Sequence, residues 1–167
     1  GETRVGGIAG EVRADAEIRN VSATGNASVT GETHVGGIAG ITAGVIHDSI
    51  TRAVTVSGTD QVGGITGEVE TPTANTLLSI QILNVSATGN ASVTGETHVG
   101  GIAGINAGRI RDSAADIAVT GTDSDFVNVG GVVGKATGGR IDSVIAGGTV
   151  VGNQSGAKHT GGVVGVH

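Results

Sequence analysis

His34, His98 and His159 each stand two residues ahead of a repeated Gly-Gly phrase, a position also held by Arg4, Gln61 and Asn128. Imidazoles in register invite a zinc site. Gln61 or Asn128 nevertheless separates each histidine from the next. If equivalent positions stack about 4.8 Å apart, these histidines stand about 9.6 Å apart at the backbone, too far to share an ion that sits about 2.1 Å from each nitrogen. The column reads as an exposed polar rim, and no metal and no cofactor is expected. Asp123 and Asp125 offer two carboxylates to calcium, which takes about six to eight oxygens. The D-x-D-x-D-G signature is missing, so a solvated loop is expected there.

Hydroxyls and amides give two further patterns. Ser28 and Thr30, Thr55 and Ser57, Ser92 and Thr94, then Thr120 and Thr149, flank a column of valines at 29, 56, 93, 119 and 150. With the valines inward, these side chains form two outward ranks of small hydroxyls, spaced about 4.8 by 7 Å and interrupted by Ala118 and Val151. A flat, uncharged array of this kind is similar to the surface of several insect ice-binding proteins. Ser and Thr are also ordinary occupants of an exposed strand face. Asn-x-Ser sequons occur at Asn20, Asn26, Asn84, Asn90 and Asn153. Asn26, Asn90 and Asn153 lie in Gly-rich turns and are candidate glycosylation sites, whereas Asn20 and Asn84 fit a structural amide ladder.

These residues are positioned by a repeat. Gly-Gly-[Ile/Val]-[Ala/Thr/Val]-Gly begins at Gly6, Gly36, Gly63, Gly100, Gly130 and Gly161, giving spacings of 30, 27, 37, 30 and 31 residues. Such periods mark stacked repeats. Two more segments recur between phrases. One carries Ile followed by Asn or Asp, as in Ile18-Arg19-Asn20, Ile46-His47-Asp48, Ile82-Leu83-Asn84 and Ile110-Arg111-Asp112; the other ends in Gly31, Gly58, Gly95, Gly121 or Gly152. Residues 1–167 are thus expected to form one all-β, parallel β-solenoid of about five coils, with roughly 30 residues and three short strands per coil. The double glycine implies a sharp bend, a positive φ or a neighbour too close for a Cβ.

Asn20–Ile41 is identical to Asn84–Ile105, an offset of 64, so a pair of coils was duplicated. The corner column then alternates Asn20, Asp48, Asn84 and Asp112, which keeps carboxylates off adjacent rungs. Ile141-Asp142 reads as a version one residue shorter, with Asp142 displaced. Residues 70–78, with Pro72, and 123–128, with Phe126, lengthen the period and are expected to bulge as loops.

Composition narrows the functions. One Phe, with no Trp, Tyr, Met or Cys, leaves Ile, Val, Leu and Ala to fill the core. Thirty-three Gly against one Pro excludes collagen. The net charge of −6 comes without a basic run, so nucleic acid is not an expected partner. No apolar run approaches the roughly 20 residues of a membrane-spanning helix.

Val-Gly-Gly-Ile-Ala-Gly, then Ala-Gly-x-Ile-x-Asp-Ser, then a Val-Thr-Val-Ser-Gly strand resembles the GLUG-motif repeat of bacterial and archaeal surface and secreted proteins. These include non-catalytic parts of IgA-specific metallopeptidases and large adhesins. The resemblance implies an extracellular or cell-surface setting and a role as a non-enzymatic structural or adhesive scaffold segment. It supplies no catalytic residues, and the chain has no His-Glu-x-x-His helix. Expected partners are a protein or glycan on a host or neighbouring cell. Phrases close to both termini leave no caps, so part of a longer surface protein or end-to-end stacking into a filament is also expected. The Ser/Thr face keeps ice binding as a further alternative.

Overall fold

β-branched residues alternate along the chain and are punctuated every few positions by Gly, Asn or Asp, which favours short strands joined by corners. The computed structural model describes residues 2–72, 81–123, 126–152 and 157–167. These residues hold 25 strands and no helix. Strands equivalent in successive repeats lie side by side and parallel: Thr3–Gly6 pairs with Thr33–Gly36, which pairs with Asp60–Gly63, and so on to Ala157–Gly161. The result is the expected parallel β-solenoid, five turns and the first strands of a sixth.

The three recurring segments are all present, but two of them fold at a corner. A coil therefore has five short strands, not three. In the second coil they are Thr33–Gly36, Ala39–Thr42, Val45–His47, Ile50–Arg52 and Thr55–Ser57. One corner falls inside the Gly-Gly phrase. The other falls on the Asn/Asp column, where Asn20, Asp48, Asn84 and Asp112 have φ of 52°, 51°, 50° and 49°. This left-handed conformation is one that Asn and Asp tolerate better than most residues. In the fourth and fifth coils the strands Arg109–Asp116 and Arg140–Gly147 turn the same corner without an interruption in pairing.

The fifth member of the corner column is Ser143, with φ 49°, and not Asp142. Arg111 pairs with Asp142 and Ser113 with Val144, so no residue is deleted. Asp142 occupies the place of Arg19, His47, Leu83 and Arg111. The alternation of neutral and charged corners then continues unbroken through all five coils.

The phrase glycines owe their identity to close approach. None has a positive φ; among the described residues the glycines that do are Gly25, Gly89, Gly139 and Gly148. A Cβ on Gly36 would stand 2.0 Å from the carbonyl oxygen of Ala39 across the bend. On Gly37 it would meet the Gly64 oxygen of the next coil at 2.3 Å, and on Gly40 the Gly10 oxygen at 2.6 Å. Bend, coil stacking and packing of the return strand thus each remove one side chain.

The core is a set of columns. Ile38, Ile65, Ile102 and Val132 are fully buried, as are Val35, Val62, Val99 and Val129. At the open ends the same columns meet water, so Ile8 is 50% and Val163 40% exposed. Of the two expected loops, residues 73–80 lie outside the described residues, as do Ser124, Asp125 and Asn153. Phe126–Gly130 is a strand paired with Ala157–Gly161, so the second insertion is shorter than residues 123–128 suggest.

Candidate functional surface

The polar column ahead of the phrases is in register: His98 pairs with Asn128 and Asn128 with His159. It is not an exposed rim in the middle of the rod. Asn128 is fully buried, and the side chains of His34 and His98 are 23% and 13% exposed. The reason is the return strand, which folds back so tightly that Gly40 lies against the backbone of Arg4. That strand also brings carboxylates. Arg4 donates to Glu11 at 2.9 Å, and His34 Nε2 lies 3.1 Å from Glu68 Oε2. His98 Nδ1 is 2.8 Å from Asp60 Oδ1, with Thr97 donating to the same oxygen, and His159 Nδ1 donates to Asn128 Oδ1 at 2.9 Å. Burial opposes the charge of Asp60, but the hydrogen bonds from His98, Thr97 and Gln61 outweigh it and hold the carboxyl well below the usual range. Among the described residues, no three His, Cys, Asp or Glu side chains gather closely enough to hold a metal ion.

A second network sits at the corner column. His47 contacts Glu17 at 2.5 Å through Nε2 and Asp48 at 3.0 Å through Nδ1, while Asn84 Nδ2 donates to Asp48 at 2.6 Å. The hydrogen bond to Glu17, then that to Asp48, raises the His47 pKa. His47 lowers that of Glu17, and Asn84 followed by His47 lowers that of Asp48. The bond from Asn84 to Asp48 is one rung of the amide ladder expected at Asn20 and Asn84.

The hydroxyl ranks fall where the valine column places them. Val29, Val56, Val93 and Val119 are buried, and Ser28, Thr55 and Ser92 are in register on one side. Thr30, Ser57, Thr94 and Thr120 form the other rank and end at Val151. Thr149 lies just outside its strand, Val150–Gly152, and continues the first rank beyond Ala118. Thr30 Oγ1 and Ser57 Oγ are 3.1 Å apart, and Ser28 Oγ lies 3.4 Å from Thr30 Oγ1. At the first rungs the hydroxyls are therefore partly engaged with one another. Asn26 and Asn90 are exposed beside Gly25 and Gly89, whose positive φ turns the chain.

Buried polar residues that sequence reasoning passed over hold the corners. Ser49 Oγ donates to the His47 carbonyl and accepts from Val21 N; Ser113 does the same with Arg111 and Val85. Their signal was the Asp-Ser pair shared by coils two and four. Gln81, 1% exposed, donates to the Glu70 carbonyl and accepts from Arg109 N. No periodic pattern marks it.

One coil, then, is a phrase, two corners and a hydroxyl strand. Residues 1–30, the first of these coils, match the family model described as "The GLUG motif". The first coil carries the GLUG motif. The later coils repeat its architecture in register, so the GLUG resemblance read from the residues holds. A 63-residue stretch is 40% identical to "Halomucin" of Haloquadratum walsbyi (strain DSM 16790 / HBSQ001). It covers 38% of this chain but 1% of halomucin, so the chain spans a small fraction of that relative. No solved structure matches the chain.

Proposed function

We propose that this chain is a non-enzymatic, extracellular segment of a microbial surface protein, serving as structural scaffold and adhesive display. The observation that carries the reading is the solenoid itself. Among the described residues the buried side chains are mostly Ile, Val and Ala stacked coil on coil, and polar side chains hold the corners and most of the outward strand faces. The GLUG match and the similarity to halomucin support the surface setting. A rod of this kind separates or presents other elements and needs no reacting group. Its partner is a protein or glycan on a host or neighbouring cell. Electron micrographs of the source cells, with antibody against this segment, test the reading: label on surface appendages or envelope is expected, and label confined to the cell interior overturns it.

Two specific observations favour other uses of the same rod. Exposure of Ile8 and Val163 in the first and last coils, whose column is buried elsewhere, favours stacking of copies into a filament, which concentration-dependent rods in micrographs would reveal. The in-register hydroxyl ranks favour ice binding. In that case thermal hysteresis is present at millimolar protein and abolished by Thr94→Lys.

A further inference from the structure

The outward side of the corner sheet changes character along the rod. Its positions read Glu17 and Arg19 in the first coil, Val45 and His47 in the second, Leu83 in the third, where Gln81 is buried against the Glu70 carbonyl, then Arg109 and Arg111, then Arg140 and Asp142. The first two coils are internally compensated through Glu17 and His47. The last two concentrate three of the chain's seven arginines in a protein of net charge −6.

Arg109 and Arg140 are directly opposite on adjacent rungs, a like-charge pair that costs stability unless something else is gained. Among the described residues no carboxylate pairs with the Arg109 side chain. Arg140 meets Asp142 through Nε at 2.5 Å, and Arg111 meets Asp112 through Nε at 3.1 Å. A guanidinium has five N–H donors in a fixed fork, so these contacts orient the group and leave donors over. The three arginines line a groove of about 270 Å³ with Asp142 and Ser143. A second hollow of about 390 Å³ shares Arg109 and Arg140 and adds Thr71, Pro72, Ala107 and Gly139.

We infer that this groove binds an acidic polysaccharide, its carboxylate or sulfate groups on the Arg109, Arg111 and Arg140 forks and a sugar ring against Pro72 and Ala107. The inference rests on the adhesive reading above and names its ligand class. A polysaccharide suits the site because it offers one anionic group per ring or two, a hydroxyl edge for Ser143 and Thr71, and an apolar ring face for Pro72. Nucleic acid fits less well: three cations against a net charge of −6 neutralise few phosphates, and the chain has no Trp or Tyr on which bases could stack.

The test is retention of the whole chain on immobilised polygalacturonate and chondroitin sulfate, with neutral dextran, duplex DNA and polyglutamate as comparators. Binding to one or both acidic glycans is expected, carboxylate against sulfate being told apart by which surface retains more. Its log–log slope against salt should be about −2, from about 0.7 per neutralised charge and three cations. Arg109→Gln with Arg140→Gln should weaken it about tenfold or more, while Arg13→Gln, on an exposed arginine of the first coil, leaves it unchanged. No retention on either glycan, an equal loss with Arg13→Gln, or equal retention on DNA or polyglutamate overturns the inference. Circular dichroism of every variant confirms the rod is intact. A folded wild-type rod that retains nothing then contradicts the glycan site while leaving the scaffold reading standing.

Discussion

Gly101→Ala should destabilise the rod, and Gly162→Ala, the same substitution in the same column, should not. Both are the second glycine of a phrase, and neither has a positive φ. A Cβ on Gly101 would lie 2.2 Å from the Gly131 oxygen and 2.7 Å from the Ala115 Cβ, while on Gly162 it meets nothing within 4 Å. The obstructing oxygen is backbone, and Gly131 is itself tied to the coil above through its N–H to Gly161, so it must move by about 1 Å with its whole rung. Overpacking of this kind costs about 1–3 kcal/mol. Alanine recovers about 0.4–1 kcal/mol by restricting the unfolded chain. The net expectation is about 1.3 kcal/mol lost at Gly101 and about 0.5 kcal/mol gained at Gly162. At about 3 °C per kcal/mol for a chain of this length, the melting temperature falls about 4 °C in the first variant and rises about 1–2 °C in the second. Thermal melts followed by far-UV circular dichroism read both. Equal effects at the two sites would refute the stacking argument, because they would assign the glycines to local conformation.

Two further outcomes follow from the same columns. Ile102→Ala should cost about 2–5 kcal/mol and Ile8→Ala, half exposed at the open end, under about 1 kcal/mol, both by denaturant titration. For pH, Asp60 and His47 act in opposite directions. The folded pKa of Asp60 lies below its unfolded value, so its contribution is complete above about pH 4 and is lost as pH falls toward the folded value; Asp60→Asn should flatten the acid limb of a stability–pH curve. The folded pKa of His47 is raised, so its contribution is complete below about pH 6.5 and is lost as pH rises through the folded value. His47→Gln should remove that decline.

The repeat, its parallel stacking and the inward valines were legible because a solenoid writes its geometry into the sequence every coil. The six phrases set the period, and the valines two residues before each terminal glycine marked the buried side. What was not legible depends on how strands fold back on each other. The polar column looked like a rim because nothing in its spacing shows that Gly10, Gly40 and Gly67 let a return strand cover it. Ser143 was missed as a corner because Asp142 carries the expected residue type one position early, and only the pairing of Arg111 with Asp142 reveals the register. The arginine groove escaped notice since Arg109, Arg111 and Arg140 are not a run in sequence; they become neighbours only when coil five lies on coil four.

The central claim is that equivalent residues climb the rod one rung at a time. The chain has no cysteine, so pairs of spin labels can be placed at will on the hydroxyl face. Combining Thr30→Cys in turn with Thr94→Cys, Thr120→Cys and Val151→Cys, two, three and four rungs away, tests it by dipolar spectroscopy. Mean separations that rise by about 4.8 Å per rung, reaching about 19 Å for residue 151, are the expected result. Separations that follow sequence distance, or that are broad and fail to rise in steps, would contradict the solenoid.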